Sequence, residues 1–427
     1  MLEIGILREQ KDRVKEGLKK RNISEDLLSL IDTIVEADDT RKSTQTELDQ
    51  LLADSNLKAK EIGGLIKTGE HQKANQLKEE VAALKETVKN LDLKLKSIKD
   101  NIDELLIQLP NVPHESVPNG SKAEDNEVYK SWEKPIPALW SGALPHWELA
   151  EKYNLISFKD GVTLTGSGFP VYKGKGARLQ RALINFFLDE AANAGYHEIQ
   201  PPILVNKESA KATGQLPDKE AQMYYCEKDD FYLIPTAEVP ITNLYRDTIL
   251  SHTDFPVKMV GYTPCFRREA GSYGADVKGL NRLHQFDKVE IVRLEHPDHS
   301  YDTLMEMVGH VAMLLNKLEL PYRILRLCGG DMGFNSALTF DFETWSAAQG
   351  RWLEVSSVSN FETFQANRMK LRFRDSDGKT RLAHTLNGSA LALARIVATM
   401  LENHQTEQGI VIPKALVPYT GFDIISI

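Results

Sequence analysis

Residues that could do chemistry concentrate between Phe266 and Glu290, in the stretch FRREAGSYGADVKGLNRLHQFDKVE. Arg267, Arg268 and Glu269 follow an apolar approach from Val260 to Phe266. A Gly-rich, basic middle comes next, and His284 to Glu290 then alternates. Period-two alternation reads as strand and the Gly-rich middle as a loop. A strand–loop–strand hairpin sets Arg267, Glu269, Phe286 and Glu290 on one working face. An arginine, two carboxylates and an aromatic ring on that face, with Arg268 next in sequence, suit a nucleoside triphosphate beside a zwitterion.

A chain of 427 residues is long enough for two or more domains. It contains no apolar run of membrane-spanning length. Its N-terminus mixes Glu3, Glu9, Asp12 and Glu16 with basic residues, a mixture that presequences avoid, so a cytoplasmic location is expected. Cys226, Cys265 and Cys328 are far apart and odd in number, which gives neither a disulfide framework nor a zinc pattern. A net charge of −9 argues against indiscriminate nucleic-acid binding, but not against a local basic surface. Asn387-Gly388-Ser389 also matches a glycosylation sequon, incidental in a cytosolic protein.

Two long helices are expected from about Glu25 to Gln108. In the second, Leu77, Val81, Leu84, Val88, Leu91, Leu95, Ile98, Ile102 and Leu105 alternate four and three residues apart. That is a coiled-coil seam. The first shows Leu48, Leu52, Ala59, Ile62 and Ile66 in the same rhythm, with a polar gap from Asp38 to Gln45. Lys67-Thr68-Gly69 reads as the turn of an antiparallel hairpin; a dimerising rod or spacer is the plainer alternative for such a pattern. Pro110, Pro113 and Pro118 mark a linker, giving domains of 1–110 and 111–427. In the second domain Gln180 to Ala194 and Asp302 to Leu318 read as helices, and Gly388 to Asn403 as a buried helix. Phe231 to Ile234, Val257 to Tyr262 and Leu283 to Val292 read as strands. An antiparallel sheet flanked by helices, an α+β arrangement, fits best. No GxGxxG follows a strand and no GxxxxGK[ST] occurs; Gly174-Lys175-Gly176 reads as a glycine turn.

The stretch from Phe266 to Glu290 resembles motif 2 of the class II aminoacyl-tRNA synthetases, and its FRxEAGSxG and HQFDKVE ends are similar to the seryl-tRNA synthetase family in particular. The resemblance runs along almost the whole chain. Thr236-Ala237-Glu238 resembles that family's serine-binding segment, and Glu354-Val355-Ser356-Ser357 its second ATP-contacting segment. Asn387 to Arg395 is similar to motif 3. Gly195 to Pro202, with Leu204-Val205-Asn206, is similar to motif 1.

The resemblance implies a serine–tRNA ligase that forms seryl-adenylate and pyrophosphate, then loads tRNA(Ser); whether tRNA(Sec) is served stays open. It implies catalytic roles for Arg267 and Arg395. It implies ATP contacts from Arg267, Arg268, Glu269, Phe286, Glu354, Val355, Ser356, Ser357 and Arg395. Serine contacts fall to Thr236, Ala237, Glu238, Arg267, Glu290 and Ser389. Glu354 and Ser357 are the candidate Mg²⁺ ligands, since a hard cation takes oxygen donors, and no zinc is expected. An Arg395 among Leu391, Ala392, Leu393, Ile396 and Val397 is costly to bury without an anion, with a buried ion pair as the alternative. Glu269 is an adenine or ATP contact, an arginine partner on the hairpin, or both. The N-terminal hairpin is implied to be the tRNA-binding arm. Lys278 and Arg282 are candidate acceptor-end contacts, and motif 1 is the implied homodimer interface.

Some positions depart from the family pattern. Arg268 stands where Ser is frequent, Ala275 and Lys278 where Arg is, Val358 for Cys, and Asn367 for the first Arg of ARR. Three rival readings are a ligase that loads another carrier, a catalytically silent RNA-binding paralogue, and a coiled-coil scaffold. The full arm counts against the first. Intact Arg267, Glu269, Glu354 and Arg395 count against the second, and the number of charged residues in apolar settings counts against the third.

Overall fold

The computed structural model describes residues 1–218, 221–268 and 278–427. Glu269, expected at the nucleotide, and Ala275 lie outside the described residues. The chain forms two compact units, Met1–Lys19 with Ile23–Pro110, and Lys20–Asn22 with Asn111–Ile427.

The first unit holds two short helices, α1 (Ile4–Glu9) and α2 (Lys11–Lys19), ahead of the long hairpin of α3 (Glu25–Lys67) and α4 (His71–Leu106). Ser24 caps α3 by accepting from the Leu27 N–H, and Glu25 and Asp26 sit in its first turn, where the helix dipole favours acids. Along α4 every residue of the expected seam is buried or half-buried. In α3 the seam differs from the expected one. Leu52, Ala59 and Ile66 are exposed, while Leu51, Ser55, Lys58, Ile62 and Leu65 are half-buried. The adjacent Leu51 and Leu52 offered two phases, and the four–three rhythm continues through polar Ser55 and Lys58, which hydropathy does not flag. The polar gap is part of the packing. Asp38 is buried and paired with Arg8, Arg41 and Lys42. Burial alone would raise its pKa, but these three cations outweigh that and hold it below the usual carboxylate range.

The second unit is built on an eight-stranded sheet. Its strands are β1 (Glu127–Lys130), β2 (His197–Glu198), β3 (Val257–Phe266), β4 (Gln285–Glu295), β5 (Tyr322–Arg326), β6 (Leu338–Ser346), β7 (Arg351–Asn360) and β8 (His384–Ala392). Their spatial order is β1-β5-β6-β7-β8-β4-β3-β2, antiparallel throughout except for the β2–β3 pair. Its helices include α5 (His146–Lys152), α6 (Gly174–Asn193), α7 (Ser300–Lys317) and α8 (Leu393–Asn403). Leu179, Leu183, Phe186 and Phe187 of α6, Leu304, Met307, Val311, Leu314 and Leu315 of α7, and Ile396, Val397 and Leu401 of α8 enter one core with the sheet.

Two expectations are corrected here. Gly388 to Ala392 belongs to strand β8, and the helix begins only at Leu393. β8 lies between β7 and β4 and is buried along almost its whole length, so its residues show no alternation of exposed and buried positions. Its Ala390-Leu391-Ala392 end runs into the apolar start of the helix without a break that periodicity could mark. Gly174-Lys175-Gly176 is the first turn of α6 rather than a free turn. Gly176 is required there because a Cβ would fall 2.2 Å from the Leu155 carbonyl oxygen.

Candidate active site

Strand register assembles the site. Glu290 on β4 lies opposite Ser389 on β8 and Gly261 on β3. Phe286, Lys288 and Glu290 alternate on β4, so they share a face. Ser357 on β7 faces Asp341 on β6, and Glu354 faces Glu343. The face opens on a cavity of about 570 Å³. Arg267, Phe286, Glu354, Val355, Ser356, Ser357, Arg395, Thr236, Glu238, Glu290 and Ser389 all line it. Arg268 does not. Its guanidinium lies 4.9 Å from the Tyr224 ring centroid. Ala237 is fully buried in a neighbouring cluster and does not line the cavity either.

One end of the cavity is a buried polar cluster. Glu290 is completely buried. Lys288 Nζ sits 2.6 Å from its Oε2 and Asn387 Nδ2 donates to its Oε1 at 2.7 Å. Ser389 Oγ donates to Oε2 at 3.4 Å. Glu238, also buried, accepts from Gln365 Nε2 at 2.7 Å, and Thr385 fixes that amide by donating to its Oε1 at 2.6 Å. Burial and then the nearby Glu290 charge push Glu238 up to about 7. Thr236 Oγ1 accepts from the Glu238 N–H, and Ser356 Oγ donates to the Ser389 carbonyl. The cluster holds more negative charge than Lys288 neutralises, which is what a bound ammonium requires.

The other end is more open. The Arg267 guanidinium sits 5.4 Å from the Phe286 ring centroid. Arg395 is not buried as its neighbours in sequence suggested. Its side chain is 33% exposed. It donates to the carbonyls of Asn281, at 3.0 Å, and Glu354, at 2.7 Å. Its contact with the Glu354 carboxylate is a looser 3.6 Å. α8 starts just before it, so an apolar helix face can anchor while the guanidinium reaches the cavity mouth.

Sequence reasoning passed over four residues here. Lys288 has the same strand parity as Phe286 and Glu290, a signal that was present. Asn387 was read as the start of motif 3 and as part of a sequon, but was given no contact in the site. Gln365 arrives from a short remote helix, Phe364–Met369, and carried no local signal. Asp341 lies across β6–β7 from Ser357, and its Oδ1 is buried without a hydrogen-bond partner. Burial and the Glu354 charge push its pKa well above the usual carboxylate range. His284 stays outside the cavity, stacked 5.2 Å from Phe169 with Nδ1 3.1 Å from the Arg267 carbonyl.

An antiparallel sheet carrying an arginine–phenylalanine pair, a buried carboxylate pair and a flanking arginine helix defines a class II aminoacyl-tRNA synthetase core. Residues 224–404 match the tRNA synthetase class II core domain (G, H, P, S and T), and residues 1–113 match the seryl-tRNA synthetase N-terminal domain. The chain is 51% identical over 424 residues to the serine–tRNA ligase of Salinibacter ruber, covering 99% of this chain and 98% of that one. It is 45% identical to that of Chlorobaculum parvum over the full length of both. The crystal structure of seryl-tRNA synthetase from Pyrococcus horikoshii complexed with ATP superposes with a TM-score of 0.91 at 34% identity, covering 100% of this chain and 99% of that one. The serine–tRNA ligase from Naegleria fowleri in complex with AMP superposes at 0.87 and 26%, with the same coverage. The chain belongs to the seryl-tRNA synthetase family.

Proposed function

We propose that this chain is a serine–tRNA ligase, joining L-serine to ATP as seryl-adenylate with release of pyrophosphate, then passing the seryl group to the terminal ribose of tRNA(Ser). The observation that carries the reading is the buried Glu238–Glu290–Lys288 cluster at one end of the cavity whose other end presents Arg267, Phe286 and Arg395. Serine's carboxylate oxygen attacks the α-phosphorus, and the bond from that phosphorus to the pyrophosphate oxygen breaks. No enzyme nucleophile is needed, so catalysis rests on positioning and charge stabilisation.

Arg267 can fork onto the carboxylate and the α-phosphate together, bringing two anions into contact. Phe286 offers its ring to adenine, and Arg395 is the cation for the γ-phosphate and the second adenine face. Glu238 receives the serine ammonium. Glu290, Ser389 and Asn387 receive the hydroxyl. A site built to bond a hydroxyl rejects alanine strongly, because its buried polar groups would be left unpaired.

Among the described residues no group of three or more His, Cys, Asp or Glu is arranged to hold a metal ion. The orphaned Asp341 Oδ1 behind Ser357 and beside Glu354 nevertheless fits an oxygen-liganded cation that keeps several waters and takes its other donors from phosphate. Glu354 and Ser357 would hold Mg²⁺, which when bound neutralises phosphate charge.

The hairpin of α3 and α4, with Lys278 and Arg282 at the acceptor end, is the tRNA-binding surface in this reading. Homodimerisation through motif 1 is part of it as well, supported by the exposed edge strand β2. No helix among the described residues is long and apolar enough to cross a membrane, and we assign the protein to the cytoplasm.

The test is ATP–pyrophosphate exchange with serine, threonine, alanine and glycine in turn, followed by tRNA charging. Strong exchange with serine alone is expected. Exchange with another amino acid, or with none, would overturn the assignment. Deleting Thr40 to Leu105 should leave exchange and abolish charging of tRNA(Ser). The same charging assay with tRNA(Sec) shows whether it is a second acceptor.

A further inference from the structure

His146 and Glu402 lie outside the cavity, yet both are completely buried and polar, and their contacts lead back to it. His146 opens α5, and Glu402 is near the end of α8, the helix that carries Arg395. The imidazole Nδ1 is 2.8 Å from Glu402 Oε1, and the His146 backbone N–H donates to the same oxygen at 3.1 Å. On its other side Nε2 accepts from the Leu280 N–H at 2.9 Å. One nitrogen accepts from a backbone N–H, so the proton must sit on Nδ1 and be donated to Glu402. The ring is a neutral, oriented bridge between a carboxylate and a loop backbone.

The loop it grips is the return segment from Lys278 to Arg282, which leads into β4. Gly279 adopts φ +68, and a Cβ there would lie 2.2 Å from His146 Nε2. The chain therefore lies directly on the imidazole. Lys278 Nζ sits 4.4 Å from the ring centroid of Trp147, the next residue of α5. Leu280 is buried in the core. Asn281 Nδ2 donates to Gln349 Oε1 at 2.9 Å, and Gln349 Nε2 donates to Ser346 Oγ at 2.8 Å. Ser346 Oγ and the Ala348 N–H both donate to Glu402 Oε2. Burial alone would raise Glu402, but donation from His146 and Ser346 outweighs it. The Asn281 carbonyl then accepts from Arg395 Nε. A closed circuit thus runs from Glu402 through His146 and the loop to Arg395, and back along α8.

We propose that His146 and Glu402 are positioning residues for the nucleotide: they hold Leu280 and Asn281 so that the Asn281 carbonyl sets the Arg395 guanidinium at the phosphate end of the cavity. The proposal rests on the serine–tRNA ligase reading and deepens it. Neither residue touches Glu238, Glu290 or Ser389, so the serine end should not feel their loss.

Two substitutions separate loop holding from plain structural support. In His146→Gln the amide oxygen can stand where Nε2 stood and still accept from Leu280. In His146→Asn the amide nitrogen can stand where Nδ1 stood and still donate to Glu402, but nothing reaches Leu280. Steady-state KM values for ATP and serine in the exchange assay are the readout. His146→Asn is expected to raise the ATP KM about fivefold, the loss of one ordinary hydrogen bond, with serine KM unchanged and His146→Gln close to the parent. The reverse order, or ATP and serine KM rising together, would overturn the proposal. If both variants unfold, Gln349→Ala decides. It removes the Asn281 side-chain anchor without opening the buried histidine site, and an unchanged ATP KM there would also overturn the proposal. Absence of serine-dependent exchange in the parent protein would instead defeat the functional reading itself.

Discussion

The two ends of the cavity solve different problems with different amounts of water. At the serine end, Glu238, Lys288 and Glu290 are buried and already hydrogen-bonded to protein. At the nucleotide end, Arg395 is a third exposed and Glu354 about half exposed. Arg395 there leans on two backbone carbonyls. A small amino acid brings few atoms, so its selection must come from desolvated partners that are ruined by a wrong ligand. ATP brings its own charge and ring, so its end can stay open and tighten on binding. The serine end is therefore tied to folding stability, whereas the nucleotide end is not.

Glu290→Ala breaks that comparison most severely. It leaves Lys288 buried without its carboxylate, and such losses cost about 3–5 kcal/mol. Urea unfolding should show that loss together with abolished serine exchange. Arg267→Ala should cut exchange by about 10²–10³-fold, the usual effect of losing a donor aimed at developing charge, with an unchanged Tm. A comparable Tm drop in that variant would erase the distinction between the ends.

pH sharpens the comparison. Burial and the Glu290 charge push Glu238 up to about 7, above its ordinary 4.5. A raised carboxyl contributes stability that is full below the ordinary value and lost as pH rises through about 7. Serine's ammonium stabilises the ionised form, so serine should bind worse as protons compete. The serine KM is expected to rise nearly tenfold per unit as pH falls below about 7, while the ATP KM stays flat over the same window. Equal slopes for both substrates would remove Glu238 from the ammonium site. The smallest effect is expected from Ser389→Ala, whose bond to Glu290 is long at 3.4 Å. Loss of one such neutral contact corresponds to about a threefold rise in serine KM, read in the same assay.

The sequence was most legible where one periodicity had one explanation. The α4 seam repeats without interruption, and every seam residue is at least half-buried. The hairpin strands flanking the loop alternate, so the shared face of Phe286 and Glu290 could be read directly. Legibility failed where burial is two-sided or contacts are remote. β8 is buried along almost its whole length, and its Ala- and Leu-rich end runs straight into α8, so the two looked like one helix. Leu51 and Leu52 left the α3 seam ambiguous by one residue. Gln365 and Asp341 reach the site only through tertiary folding, one from a short helix and one from a neighbouring strand. Arg395 was expected to be buried because its neighbours are apolar, but the helix turns that side chain to the mouth.

The claim that the serine end is built before ATP arrives is tested most directly by titrating L-serine calorimetrically into ATP-free protein at pH 7, in buffers of different ionisation enthalpy. The account predicts saturable binding accompanied by proton release, as Glu238, raised to about 7, gives up its proton to make way for the ammonium. Serine binding only in the presence of ATP, or binding with no proton released, would contradict it.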